Sequence, residues 1–215
     1  NMRLWPAAIL GLLTLGCAAQ PHEINLNYPP GAVLRYPRPE IAQTVKNVRY
    51  SATEFFSSDA QHCLAKVVDM LLEDKPGAEK HNLNGISLNY HDGTGIAAVH
   101  NDYIMSGNAL EIRFHESMHG LENCDLLKRD EFMTLYTAVD KKEFPIIEAI
   151  ENWLNQKPYN SGKFDLNSER MTLAPQLALF YGHALPELWI KFYGHIFGSK
   201  INNVLKKALE KHMKN

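Results

Sequence analysis

The stretch ALEIRFHESMHGLENCD, Ala109 to Asp125, constrains this chain more than any other segment. It carries His115, Glu116 and His119. On an α-helix, residues four apart share a face one turn apart, so both imidazoles can aim a nitrogen at one point. Glu116 is turned about 100° from His115, near enough to reach a water at that point without joining as a ligand. Neutral imidazole is a zinc ligand, zinc lowers the pKa of a bound water, and a carboxylate can take that water's proton. Asn108 is placed as the N-cap, and Glu111 three residues on completes the pattern of a capping box. With 10 histidines in the chain, chance alone writes H-E-x-x-H about 3% of the time. The competing reading is a surface helix with two solvated histidines. The helix-start signal and the strands preceding the motif weigh against it.

The rest of the chain reads as one domain. Its 215 residues are 45% apolar and 21% charged, which is the composition of a globular protein with a substantial core. The net charge is −2 and no long basic run occurs, which argues against a nucleic-acid partner. Residues 40–215 are assigned to a single domain, and no internal repeat is visible.

The N-terminus departs from this pattern. MRLWPAAILGLLTLGCAAQ has an early charge at Arg3, an apolar run from Leu4 to Leu15, then small residues around Cys17. This is the layout of an export signal, and the run is too short for a permanent membrane span. LTLGC also resembles a bacterial lipobox, with Thr14 where leucine is usual; Cys17 would then carry lipid and anchor the chain to a membrane. The alternative for residues 1–19 is a buried N-terminal helix. Residues 20–39 hold Pro21, Pro29, Pro30, Pro37 and Pro39, and read as an extended lead-in rather than a packed element. Cys63 and Cys124 remain as an even pair, which in an exported protein reads as a disulfide, with two buried thiols as the alternative.

Hydrophobic spacing predicts a helix from Glu40 through Phe56 and a second, capped by Ser58 or Asp59, with the stripe Cys63, Val67, Met70 and Leu71. Ile86, Leu88 and Tyr90 then alternate, and a turn at Asp92–Gly93 predicts a hairpin of two or three short strands. Helices follow over Leu127–Asp140, Pro145–Gln156, Ser168–Tyr181, Pro186–Phe197 and Ile201–Met213. The fold class is α+β, mostly helical, with a small antiparallel or mixed sheet packed before the motif helix.

HESMHG preceded by short strands resembles the zincin metallopeptidases. The resemblance spans about Gly85 to Gly182. It implies that His115 and His119 bind Zn2+ and that Glu116 is the general base of peptide-bond hydrolysis, with a peptide or protein as substrate. It also implies an edge strand, in the GIAAVHNDYIM region, that aligns the substrate backbone. Arg113 departs from the family's uncharged residues before the first histidine. The metzincin spacing fails, because Glu122 stands where glycine is needed and Asp125 where a third histidine would be. A glutamate on a later helix, the gluzincin solution, is the other common third ligand. Glu169 is the preferred residue, in a setting that resembles lethal-factor-type zincins. Glu148, Glu151 and Asp125 are the alternatives.

An oxyanion donor is also needed. Candidates are His183 and Tyr181 first, then Tyr193 and His195 in the repeated YGH segment. His91 and His100 read as surface residues. The function expected is that of an exported, periplasmic, outer-membrane or secreted zinc peptidase. The rivals are a partner-binding lipoprotein with a degenerate metal site and an injected effector protease.

Overall fold

The computed structural model describes residues 23–25, 31–78, 83–89, 94–104, 106–156 and 158–214. The export signal, Cys17, Tyr90, His91 and the Asp92–Gly93 turn lie outside these residues. Five strands form one mixed sheet: β1 (Glu23–Asn25), β2 (Ala32–Arg35), β3 (Val67–Asp74), β4 (Gly85–Asn89) and β5 (Gly95–His100). Their order is β1-β2-β3-β5-β4, with β3 and β5 parallel and the other pairs antiparallel. The helices are α1 (Pro39–Thr53), α2 (Ser58–Leu64), α3 (Asn101–Ile104), α4 (Ala109–Asn123), α5 (Arg129–Thr137), α6 (Ile146–Leu154), α7 (Leu166–Tyr181), α8 (Glu187–Tyr193) and α9 (Ser199–His212). The chain is thus α+β and mostly helical. Among the described residues, no helix is long and apolar enough to cross a membrane.

Three expectations change. The stripe Cys63, Val67, Met70, Leu71 is not one helix. Ser57 caps α2 by accepting from the Ala60 N–H, α2 ends at Leu64, and VVDMLLED runs as β3. A short apolar run fits either period, and here the parallel partner β5 and antiparallel partner β2 decide for strand. The Pro-rich lead-in is not wholly extended spacer: Ala32, Val33 and Leu34 are buried in β2 against β3. The GIAAVH segment is not an edge strand: β5 lies inside the sheet, whose edges are β1 and β4, and Asn101–Ile104 turns into α3.

Side chains alternate across the sheet. Val67 and Leu71 of β3 and Ala97 and Val99 of β5 pack toward the helices. Met70, Leu72, Ile96 and Ala98 form a second cluster with Leu34, Leu83 and Phe164 on the other face. Helix α4 packs on β4, β5, α1 and α7, and is buried almost all round. Each of its stripes therefore meets a different neighbour. Phe114, Met118 and Leu121 enter the main core. Arg113 donates to Asp69 of β3 at 2.6 Å and to Ser117 at 2.5 Å, on a side away from the histidine pair. A disulfide between Cys63 and Cys124 ties α2 to the C-terminal end of α4. The pairing read from composition is thereby realised.

Helix α7 has Pro175 in its interior. Proline has no N–H, so the Met171 carbonyl four residues earlier loses its helical partner. The Tyr193 hydroxyl takes that place, donating to the Met171 carbonyl at 2.7 Å. Tyr193 is fully buried, so its hydroxyl serves the helix rather than a catalytic site.

Candidate metal centre

His115, His119 and Glu169 converge: one ligand atom from each lies within 4.8 Å of the others. The imidazole Nε2 atoms are 3.1 Å apart. Glu169 Oε2 is 3.2 Å from His115 Nε2, and Oε1 is 3.5 Å from His119 Nε2. Among the described residues this is the one such group. Two histidines from α4 and one carboxylate from the first turn of α7 form a group that could hold a metal ion.

The other ring nitrogens are engaged in two relays. His115 Nδ1 lies 2.7 Å from Gln176 Oε1, and Gln176 Nε2 donates to Glu111 Oε1 at 2.6 Å. His119 Nδ1 lies 3.1 Å from Ser168 Oγ, and Ser168 donates to Glu122 Oε2 at 2.5 Å. An ionised carboxylate only accepts. Gln176 and Ser168 must therefore donate to their glutamates, and their oxygens accept from Nδ1–H of each histidine. With both rings neutral, the Nε2 atoms are lone pairs facing each other and the Glu169 carboxylate. Glu169 Oε2 is buried and accepts no hydrogen bond among the described residues. Three electron-rich groups in one buried space need a cation or a proton between them.

The electrostatics agree. Burial disfavours charge on His119, but the Glu169 carboxylate outweighs it and pushes the imidazole up to about 9. Burial works against the Glu169 charge too, yet the two imidazoles hold it well below the usual carboxylate range. Glu116 is buried beside the cluster, and burial, the largest cause, raises its pKa. Its Oε1 lies 2.7 Å from where a Cβ on Gly85 would stand.

The capping box is not formed. Asn108 precedes α4 but makes no side-chain cap bond, and Glu111 instead accepts from Gln176 and from the Tyr181 hydroxyl at 3.2 Å. Asp165 caps α7 by accepting from the Asn167 and Ser168 N–H groups. This frees the Ser168 hydroxyl for His119.

The alternatives for the third ligand lie elsewhere. Glu151 accepts from the Tyr136 hydroxyl at 2.7 Å and from both ends of the Arg170 fork at 2.8 and 3.0 Å. Glu148 is exposed, and Asp125 is exposed in a left-handed turn with φ 58°. Tyr181 is 54% exposed and reaches the cluster only through Glu111 and Gln176. His183 follows Gly182 at the far end of α7, about 20 Å along the helix from Glu169. His195 is exposed and its Nε2 lies 2.6 Å from the Leu126 carbonyl, in the turn after α4. His100 is buried rather than exposed, between Asp74 and Asp102.

Gln176 and Tyr159 are not anticipated in the sequence. Tyr159, half-buried on a 3-10 turn (Tyr159–Ser161), has its hydroxyl pKa raised by burial and then by the nearby Glu169 and Glu116 carboxylates. Its sequence signal is one of two aromatic residues, with Phe164, in a largely polar linker, ten residues before Glu169 (169 − 159). No family model, curated protein or solved structure matches this chain.

Proposed function

We propose that this protein is a zinc-dependent peptidase with a zincin-like fold of the glutamate-ligand type. The observation that carries this reading is the 3.1 Å approach of two Nε2 atoms beside Glu169, with the other nitrogen of each ring engaged by a carboxylate-ended relay. His115, His119 and Glu169 would hold the ion. Zinc, when bound, supplies Lewis-acid polarisation and activation of water.

The chain's own residues do the rest. Glu116 accepts the proton of the attacking water on its carboxylate and delivers it to the leaving nitrogen. Its burial raises its basicity, which suits that exchange. Tyr159, whose hydroxyl senses both the Glu169 and Glu116 carboxylates, is the candidate donor for the developing oxyanion in place of His183 and Tyr181. Among the described residues β4 is an edge strand of the sheet, paired with β5, and an extended peptide is placed along it in this reading. Gly85, at the start of β4, abuts Glu116, which brings such a peptide beside the general base.

The reading of an exported protein is supported by the Cys63–Cys124 bond, since disulfides persist in oxidising compartments. The rival reading, a partner-binding protein with a degenerate site, lacks support in the site itself, because a third carboxylate lies within reach of both imidazoles.

The deciding experiment is the metal content of purified protein and of its His119→Ala variant. About one zinc per chain, lost on substitution, supports the reading. No zinc in the unsubstituted protein after incubation with the ion overturns it.

A further inference from the structure

The three candidate ligands come from two helices, and one guanidinium joins the helix ends beside them. Arg129, the first residue of α5, donates to Glu122 Oε1 from Nε at 2.7 Å and from Nη2 at 2.5 Å. Its Nη1 donates to Asp165, the N-cap of α7. The left-handed backbone at Asp125 reverses the chain after α4, with the Leu126 N–H donating to the Leu121 carbonyl at 3.1 Å. That reversal carries Arg129 back over Glu122, seven residues earlier (129 − 122). Glu122 then has Oε2 left for Ser168, the partner of His119.

We propose that Arg129 is a positioning residue that holds Glu122 against Ser168, where the carboxylate, able only to accept, fixes the direction of the hydrogen bonds ending at His119. The inference rests on the zinc reading above. Arg129 can only donate, so the atom it holds on residue 122 must accept. In the native chain that atom is Oε1, and the Oε2 turned to Ser168 also accepts. Ser168 therefore donates, its oxygen accepts from His119 Nδ1–H, and His119 Nε2 keeps its lone pair.

The role of Arg129 becomes visible in Glu122→Gln. Arg129 holds the amide oxygen, which turns the amide NH2 toward Ser168. Ser168 must now accept there, and its own proton loses its carboxylate and turns to His119 Nδ1. The imidazole proton is driven to Nε2, the atom a metal needs. Removing Arg129 as well lets the amide rotate, so that its oxygen faces Ser168 and the native direction returns.

The test is zinc affinity, measured by competition with a chromophoric chelator at fixed pH, for the unsubstituted protein, Arg129→Met, Glu122→Gln and the double variant. Each single variant is expected to bind about 10–100-fold more weakly, as for other outer-shell partners, with Glu122→Gln the weaker. The double variant is expected to recover to the level of Arg129→Met. Losses that add in the double variant, or an unchanged affinity in Glu122→Gln, overturn the inference while leaving the zinc site standing. Absence of zinc binding by the unsubstituted protein overturns the proposed function instead. Thermal melting checks folding. Should Arg129→Met fail to fold, Ser168→Ala replaces it: with the relay cut, adding Glu122→Gln should change nothing, and a further loss overturns the inference.

Discussion

The Glu116 carboxylate occupies the space that a side chain at Gly85 would fill. A Cβ there would stand 2.7 Å from Glu116 Oε1, 2.6 Å from Ile112 Cγ2 and 2.9 Å from the Ala98 carbonyl. The carbonyl belongs to the sheet and cannot yield as a side chain can. Gly85→Ala should therefore destabilise the fold by about 1–3 kcal/mol and push Glu116 from its position. Zinc content should stay near that of the unsubstituted protein while peptidase activity falls. Full activity in Gly85→Ala would show that Glu116 tolerates displacement and is not the base.

Glu116→Gln removes the proton acceptor without touching the three candidate ligands. Zinc affinity should change little, and turnover of a peptide substrate should fall by about 100–10,000-fold. An acid limb of the native pH–rate profile that belongs to the Glu116 carboxyl should vanish in the variant. Retained cleavage would remove Glu116 from the mechanism.

His119 and Glu169 make the metal-free protein sensitive to pH in a defined direction. Burial opposes the His119 charge, but Glu169 lifts it from 6.5 to about 9. A folded-state pKa above the unfolded value stabilises fully below pH 6.5, and that contribution is lost as pH rises through about 9. Glu169 is held below its ordinary 4.5, so its contribution is whole above pH 4.5 and is lost as pH falls beneath it. Chelator-treated protein should thus melt highest between pH 4.5 and 6.5 as far as this pair governs it. Zinc must displace the His119 proton, so its affinity should rise about tenfold per pH unit up to that pKa. Melting curves and zinc titrations across this range check both, and a pH-independent zinc affinity contradicts the pairing.

Tyr193→Phe should cost about 1–3 kcal/mol, because it leaves the buried Met171 carbonyl without a donor where Pro175 has already removed one. Denaturant unfolding measures the loss, and zinc affinity should be nearly unaffected. A catalytic tyrosine would instead leave stability alone and lower turnover.

Much of the architecture could be read along the chain wherever a signal was local. Helix spacing and Pro and Gly stops located α1 and α4 through α9 to within a few residues, because a helix satisfies its backbone within its own segment. Strand β3 was misread as helix, since its identity comes from β2 and β5, which are distant in sequence. The order β1-β2-β3-β5-β4 was illegible for the same reason, so the edge position fell to the wrong strand.

The candidate site divides along the same line. The spacing of His115, Glu116 and His119 is a property of the chain by itself, because 3.6 residues per turn put i and i+4 on one face whatever surrounds them. The third group was only a choice among Glu169, Glu148, Glu151 and Asp125 in the sequence. Tertiary packing decided it, by bringing the first turn of α7 against α4 and giving Glu151 to Arg170 and Tyr136. The same packing took Glu111 out of its capping-box place and set it behind Gln176, the partner of His115, and it put the Ser168 hydroxyl on His119. A cap and a relay use the same side-chain oxygens, and only the neighbouring helix determines which donor reaches them first.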